Sequence, residues 1–189
     1  MLNPVFAYTP RSLVCATWLG VAAACLPTAW AASGDADQPM QVEADRLRYE
    51  EKDRISHFTG QVVITKGSIV IRADQVKVRE NANGQQVGVA TGEAGRQAFF
   101  KQTRSGMDEV VEGQADRIEY RSATDQMTLT GGAVLRRIRA GSPSDEARGP
   151  LIVYDGASST FRVQGVKGGG QDRVRAVLTP REKTTEPVR

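Results

Sequence analysis

The chain has 189 residues, with 25 Lys plus Arg against 22 Asp plus Glu, a net charge of +3 and 6% aromatic residues. Such a mixed-sign surface, poor in rings, excludes a nucleic-acid footprint and a stacking platform for single strands. GxSxG, HExxH and phosphate-binding glycine loops are absent from the sequence, which leaves hydrolase, zinc-protease and nucleotide chemistry without a starting point.

Met1 to Ala31 reads as a secretory signal: Arg11 in a positive n-region, an uncharged apolar run from Ser12 to Leu26, and a small-x-small site at Ala29-Trp30-Ala31 before Ala32. Two alternatives stay open. A retained membrane anchor would need about 20 apolar residues. A lipoprotein lipidated at Cys25 would want a large aliphatic residue where Ala22-Ala23-Ala24 stand. After cleavage 158 residues remain (189 minus 31), the charge is 24 minus 22, or +2, and both Cys15 and Cys25 are gone. Disulfides, thiol nucleophiles and Cys-based metal sites then drop out, and the length suits one domain.

Residues 32–39 form a polar leader with little intrinsic structure. Met40 to Ala44 alternates and predicts the first strand; Leu47 to Tyr49 is a second alternating stretch, followed by a charged turn from Glu50 to Arg54. Ile55 to Phe58 and Gln61 to Thr65 are strands around Thr59-Gly60, where the glycine suggests a bulge. Lys66-Gly67 is a hairpin turn, and Ser68 to Ile71 and Gln75 to Arg79 follow as strands. Glu80 to Gln86 is a loop turning at Asn83-Gly84. Val87 to Thr91 and Gln97 to Gln102 are strands, and Thr103 to Asp108 is a turn built on Ser105-Gly106.

The pattern then returns. Residues 115–120 repeat 44–49, and 129–135 repeat 58–64, both 71 positions on. Ile152-Val153-Tyr154-Asp155 repeats Ile71-Arg72-Ala73-Asp74 at an offset of 81, with the extra residues assigned to a loop from Ala140 to Pro150. Phe161 to Val163 is a strand, residues 165–172 are a flexible glycine loop, and Val174 to Leu178 is the last strand, stopped by Pro180. Residues 181–189 read as a disordered tail. The prediction is an all-β, antiparallel chain of about sixteen short strands, as two sheets face to face or one sheet folded over.

A catalytic centre is not evident. His57, the one histidine, is out of phase with Phe58 and predicted to face solvent, without the partnered cleft that acid–base work needs. Asp45/Asp116 and Asp74/Asp155 recur with the repeat, which favours a structural job at turns over calcium binding. The inward face gathers Met40, Val42, Leu47, Tyr49, Phe58, Val62, Ile64, Ile69, Ile71, Val76, Val78, Phe100, Ile118, Tyr120, Leu135, Ile152, Tyr154, Phe161 and Val163. Plain core packing accounts for most of them. Medium-sized aliphatics without tryptophan would also let two sheets stay apart along one edge and admit an acyl chain.

The runs Asp37 to Asp45, Phe58 to Val62, Ile69 to Asp74, Val111 to Tyr120, Leu129-Thr130-Gly131 and Arg173 to Pro180 resemble the OstA-like (LptA) family of periplasmic lipopolysaccharide transport proteins, in order over most of residues 37–180. An insertion near Ala140 to Pro150 and a shorter C-terminal tail depart from it. The resemblance implies an open, twisted antiparallel β-jellyroll, OstA-like, in the periplasm, without a cofactor and not an enzyme. Its implied partners are lipopolysaccharide, further copies joined end to end as a homo-oligomer, and like domains on an inner-membrane and an outer-membrane partner; nucleic acid is not among them. Carried onto this sequence, the lipid-binding positions are Met40, Val42, Phe58, Ile64, Ile69, Ile71 and Phe100. The edge-strand interface is Met40, Val42 and Ala44 at one end and Val174, Ala176 and Leu178 at the other. Arg72 or Lys77 could meet lipid phosphates at the groove mouth, or simply form a solvated face. The competing expectation is a structural periplasmic β-adaptor that polymerises through its edges around a dry core.

Overall fold

The computed structural model describes residues 35–93, 95–104, 108–165 and 173–180. The signal at 1–31, the tail at 181–189, most of the glycine loop and the Ser105-Gly106 turn lie outside the described residues.

Twelve strands are laid down: β1 (Gln41–Glu43), β2 (Arg46–Glu50), β3 (Ile55–Lys66), β4 (Ile69–Glu80), β5 (Gln86–Thr91), β6 (Ala98–Arg104), β7 (Glu109–Ala115), β8 (Arg117–Arg121), β9 (Gln126–Arg139), β10 (Ser142–Asp155), β11 (Thr160–Gln164) and β12 (Arg175–Leu178). All pairs are antiparallel in one continuous sheet. The sheet is folded over along a line of corners. One half-sheet runs β1-β3-β4-β6-β7-β9-β10-β12. The other runs β2-β3-β4-β5-β8-β9-β10-β11. Strands β3, β4, β9 and β10 pass through both, so twelve strands supply sixteen segments, eight to each half. Of the two expected arrangements, the single folded-over sheet is the one found, with fewer and longer strands than the sequence suggested. Eight segments at about 4.8 Å spacing give a stack near 40 Å long.

The corners explain the repeat. In β3, Gly60 and Gln61 take left-handed φ values of 83° and 43°; in β9, Gly131 and Gly132 take 82° and 51°. The Asp45 amide donates to the Gly60 carbonyl at 3.1 Å, and the Asp116 amide to the Gly131 carbonyl at 3.0 Å. Each aspartate side chain fills the space where a Cβ on its glycine would stand. A bend with positive φ and no room for a methyl needs glycine, so the Asp…Thr-Gly signature is a corner device. This is the turn role expected of Asp45 and Asp116.

The offset of 81 does not survive. Asp74 is at the β4 corner, accepting from the Glu93 amide at 2.7 Å and pairing with Arg96 at 2.6 Å. Asp155 ends β10 and accepts the Ser158 amide at 2.7 Å in a hairpin turn. The corner of β10 lies at the register shift between Gly149 and Leu151, not near Asp155. The predicted loop Ala140 to Pro150 is likewise a strand: after a turn at Ala140-Gly141, Ser142 onward pairs with β9 and β12. Its Pro, Gly and Ser residues gave no strand signal because pairing on both sides, not propensity, makes the strand.

The core between the half-sheets holds Val62, Ile64, Ile69, Ile71, Val76, Phe100, Ile118, Tyr120, Leu135, Ile152 and Tyr154, as expected, and also Val111, Met127, Leu129 and small Ala90, Ala98, Ala115 and Ala133. Gly113 leaves room for the Phe100 ring, which lies on Tyr154 of the opposite half-sheet at a centroid distance of 6.0 Å. Met40, Val42, Phe58, Phe161 and Val163 are partly buried against this cluster. Leu47 and Tyr49 are not in it. They share the inward phase, opposite Phe58 and Ser56, but β2 is an outermost strand and they are 61% and 58% exposed.

Candidate functional site

The sequence-derived apolar set divides by position along the stack. Ile64, Ile69, Ile71 and Phe100 are fully enclosed. Met40, Val42 and Phe58 are partly buried at the β1/β2 end. The first four are closed off where the half-sheets meet; the other three are only partly covered at the end of the stack.

Both ends are apolar, and no described residue covers them. Every large hydrophobic side chain exposed among the described residues belongs to an end: Leu47 and Tyr49 on β2, and Val174, Val177 and Leu178 at β12. Ala176 pairs with buried Ala147, so the inward phase of β12 includes Ala176 and Leu178, while Val177 pairs with Glu146 and faces outward. At this C-terminal end the inward face continues onto Phe161 and Val163 of β11. The inner apolar surface therefore runs through the stack and emerges at both ends.

Each end also presents two collinear free edges rather than the one expected. Among the described residues β1 and β2 both pair only with β3, and β11 and β12 only with β10. Sequence reasoning named β1 and β12 and missed β2 and β11, because collinear pairing on one long strand leaves no trace in local pattern. Three edge candidates lie just outside the strands: Met40 precedes β1, Ala44 follows it at the corner, and Val174 precedes β12.

Of the two expectations for the basic pair, the solvated face is the one found. Arg72 and Lys77 are exposed and alternate with buried Ile71, Val76 and Val78, on the outer face. The charged groups on the inner face sit at the hairpin ends, away from the corners. Glu109 accepts from Arg104 and Arg139 at 2.8 Å each, with Arg137 3.9 Å away. Burial alone would push the Glu109 carboxyl up, but these guanidiniums hold it below the usual range. Asp35 lies in a short 3-10 turn, Asp35–Asp37, within the leader expected to lack structure. It accepts the Ser68 amide at 2.7 Å, the Ser68 hydroxyl at 2.6 Å and Gln102 Nε2 at 2.8 Å. Burial raises its carboxyl, and those bonds together with the Lys66 charge outweigh it and lower it. Lys66, itself buried, donates to the Gln38 carbonyl. The turn thus straps the β3–β4 hairpin beside β1.

His57 is half-buried on the outer face, with Nε2 3.3 Å from Glu50. Among the described residues, no cluster of three or more His, Cys, Asp or Glu is placed to hold a metal ion, and no helix is long and apolar enough to cross a membrane.

Comparison with known proteins gives a consistent result. Residues 41–160 match the family described as "LptA/(LptD N-terminal domain) LPS transport protein". The Escherichia coli K12 "Lipopolysaccharide export system protein LptA" is 32% identical over 158 residues, covering 84% of this chain and 80% of that one. The Pseudomonas aeruginosa "Lipopolysaccharide export system protein LptH" is 25% identical over 159 residues, covering 82% and 87%. The crystal structure of LptH, described as the LptA-homologous periplasmic component of a lipopolysaccharide transport device, superposes with a TM-score of 0.66 at 24% identity. It covers 77% of this chain and 99% of that one, which supports the jellyroll fold.

Proposed function

The chain belongs to the family of LptA and LptD N-terminal-domain LPS transport proteins, and from that premise we propose that it is a periplasmic bridge module. It takes lipid A acyl chains of lipopolysaccharide onto its inner apolar face and passes them from the inner toward the outer membrane. The observation that carries this is the inner face itself, apolar along the stack and uncovered at both ends.

The physics favours such a path. Each CH₂ removed from water is worth about 0.8 kcal/mol, so a multi-chain lipid does not cross water alone. Movement between like grooves is nearly isoenergetic, and a direction must come from an energy-using partner. End-to-end assembly follows from the free edges. Eight antiparallel segments per half-sheet is an even number, so β1 and β2 of one copy run antiparallel to β12 and β11 of the next, and both half-sheets continue without a break. The family description joins LptA with a domain of LptD, in keeping with like domains on the membrane partners meeting these same edges. Met40, Val42, Phe58, Ile64, Ile69, Ile71 and Phe100 are proposed to contact lipid, the first three at the opening and the rest after the half-sheets separate.

The closed packing around Phe100 and Ile71 favours one other reading, a structural adaptor that polymerises around a dry core. Site-specific photocrosslinking separates the two. A photoreactive residue at Ile71, with outward Arg72 as control, is expressed in cells making lipopolysaccharide. An adduct at Ile71 and none at Arg72 is expected. No adduct at Ile71, Val42 or Phe100 in a folded, exported protein would leave the dry adaptor.

A further inference from the structure

Three buried side-chain polar atoms among the described residues lack a hydrogen-bond partner: Gln102 Oε1, Arg137 Nε and Tyr154 Oη. They are not scattered. Gln102 on β6, Arg137 on β9 and Tyr154 on β10 all take the inward phase, near the hairpin ends of the two half-sheets. A buried unpaired polar group is costly, and three on one rim point to a missing partner.

The surroundings say what that partner is. Arg104, Arg137 and Arg139 converge on Glu109, with Asp145 3.5 Å from Arg139. Three guanidiniums share the two carboxylates in direct contact with them, Glu109 and Asp145; Asp125 acts on Tyr154 from further off, and Asp35 on Gln102 is balanced by Lys66. The polar atoms left over on Arg137 and Tyr154 are both donors, which suits an oxygen-rich anionic group. Arg137 is also held across the groove. Its Nη2 donates to the Ser159 carbonyl at 2.8 Å, and its guanidinium lies 5.1 Å from the Phe161 ring centre. Both contacts are on the turn and strand that follow β10, so the guanidinium is fixed in place, with Nε 3.9 Å from Glu109 Oε1, beyond hydrogen-bond reach, and without a hydrogen-bond partner. Tyr154 rests against Phe100, and its phenol, 1% exposed as a residue, is pushed above its ordinary pKa by burial and stays a donor.

We propose that Arg137, Tyr154 and Gln102 form a subsite for a phosphate group esterified to a sugar, with Arg104 and Arg139 supplying the surrounding positive field. The Arg137 Nε–H and the Tyr154 hydroxyl donate to phosphate oxygens, and Gln102 Oε1 accepts from a neighbouring sugar hydroxyl. A planar, always-charged guanidinium suits such an anion better than an ammonium. Glu109 holds the arginines in position while the site is empty. The subsite rests on the lipid-carrying reading above and deepens it: acyl chains lie among the aliphatics, and the headgroup phosphate is held at the rim. The same chemistry would also take free phosphate.

The test compares bisphosphorylated lipid A with the same lipid after enzymatic dephosphorylation, on full-length protein, with a separate titration of inorganic phosphate. Wild type is expected to bind the phosphorylated lipid more tightly. Arg137→Gln and Tyr154→Phe should each weaken that binding by about tenfold and leave the dephosphorylated lipid within about twofold. Tyr154→Phe removes only an unpaired hydroxyl, so its Tm stays equal or rises while its affinity falls, a split that a packing role does not produce. A shift of the Arg137 Nε–H resonance with inorganic phosphate makes free phosphate a sufficient ligand. No shift, with phosphate-dependent lipid binding, assigns the headgroup as the source. Equal binding of both lipids with no phosphate shift, or equal losses for both lipids in the variants, overturns the subsite. Should wild type bind neither lipid, the lipid-carrying reading falls, and the phosphate titration still decides the subsite.

Discussion

The middle of the stack and its two ends are made of the same alternating strands and meet opposite fates. Val111, Ile118, Leu129 and Phe100 in the middle are fully buried, whereas Leu47 on β2 and Leu178 on β12 are 61% and 71% exposed. Hydropathy does not separate them; neighbours do. A middle segment has a strand on each side and an opposing half-sheet, while an end segment has one neighbour and nothing beyond it. Exposed apolar edges normally invite unwanted pairing. Here they are confined to the two places where another module of the same pattern would continue the sheet.

That contrast can be broken at its centre first. Phe100→Ala removes a ring that fills the space over Gly113 and rests on Tyr154. It should cost about 3–5 kcal/mol in urea unfolding. A loss below about 1 kcal/mol would mean that the middle is not close-packed and that the groove already stands open.

The ends sharpen the contrast with a smaller effect of another kind. The double change Leu47→Glu with Leu178→Glu should leave unfolding within about 0.5 kcal/mol of wild type. It should also weaken self-association by roughly tenfold, or about 1.4 kcal/mol, in sedimentation equilibrium. Unchanged association would make the ends inert.

The smallest effect concerns the strap. Asp35 has a folded pKa below its ordinary 3.8, so its contribution to stability is complete above the unfolded value and is lost as pH falls through the folded one. Wild-type Tm should therefore drop more steeply below pH 4 than that of Asp35→Asn, with the two curves converging at the acid end. Asp125, raised by burial despite the hydrogen bond from Tyr120, has the opposite sign. It favours folding at low pH and loses that contribution as pH rises through its folded value, so Asp125→Asn should raise Tm at pH 7. Parallel pH profiles for wild type and Asp35→Asn would show that the strap does not hold the β1 end.

How much was legible in the chain follows from what each signal depends on. The Asp45/Asp116 corners were visible because a left-handed bend with no room for a Cβ admits little besides glycine, and the repeat wrote that demand twice. The strap was invisible: Asp35 is an ordinary polar residue until Ser68 and Gln102, far along the chain, arrive beside it. The inward arginines gave no signal because a charge on an apolar phase reads as a break in the pattern, not as part of a site. Only Glu109 on the neighbouring strand makes Arg104 and Arg139 at home there.

Sequence by itself determined the strand class, a two-layer antiparallel arrangement, the bulge at Gly60 with its repeat at Gly131, and the face most apolar residues occupy, since each follows from a period of two and from backbone sterics within a few residues. Tertiary structure alone decided that the twelve described strands supply sixteen segments, that residues 142–150 pair rather than loop, that Leu47 and Tyr49 stay exposed, and that three polar atoms on the inward phase are left unpaired. Those outcomes depend on which strand lies beside which, and pairing partners far apart in sequence leave no local mark.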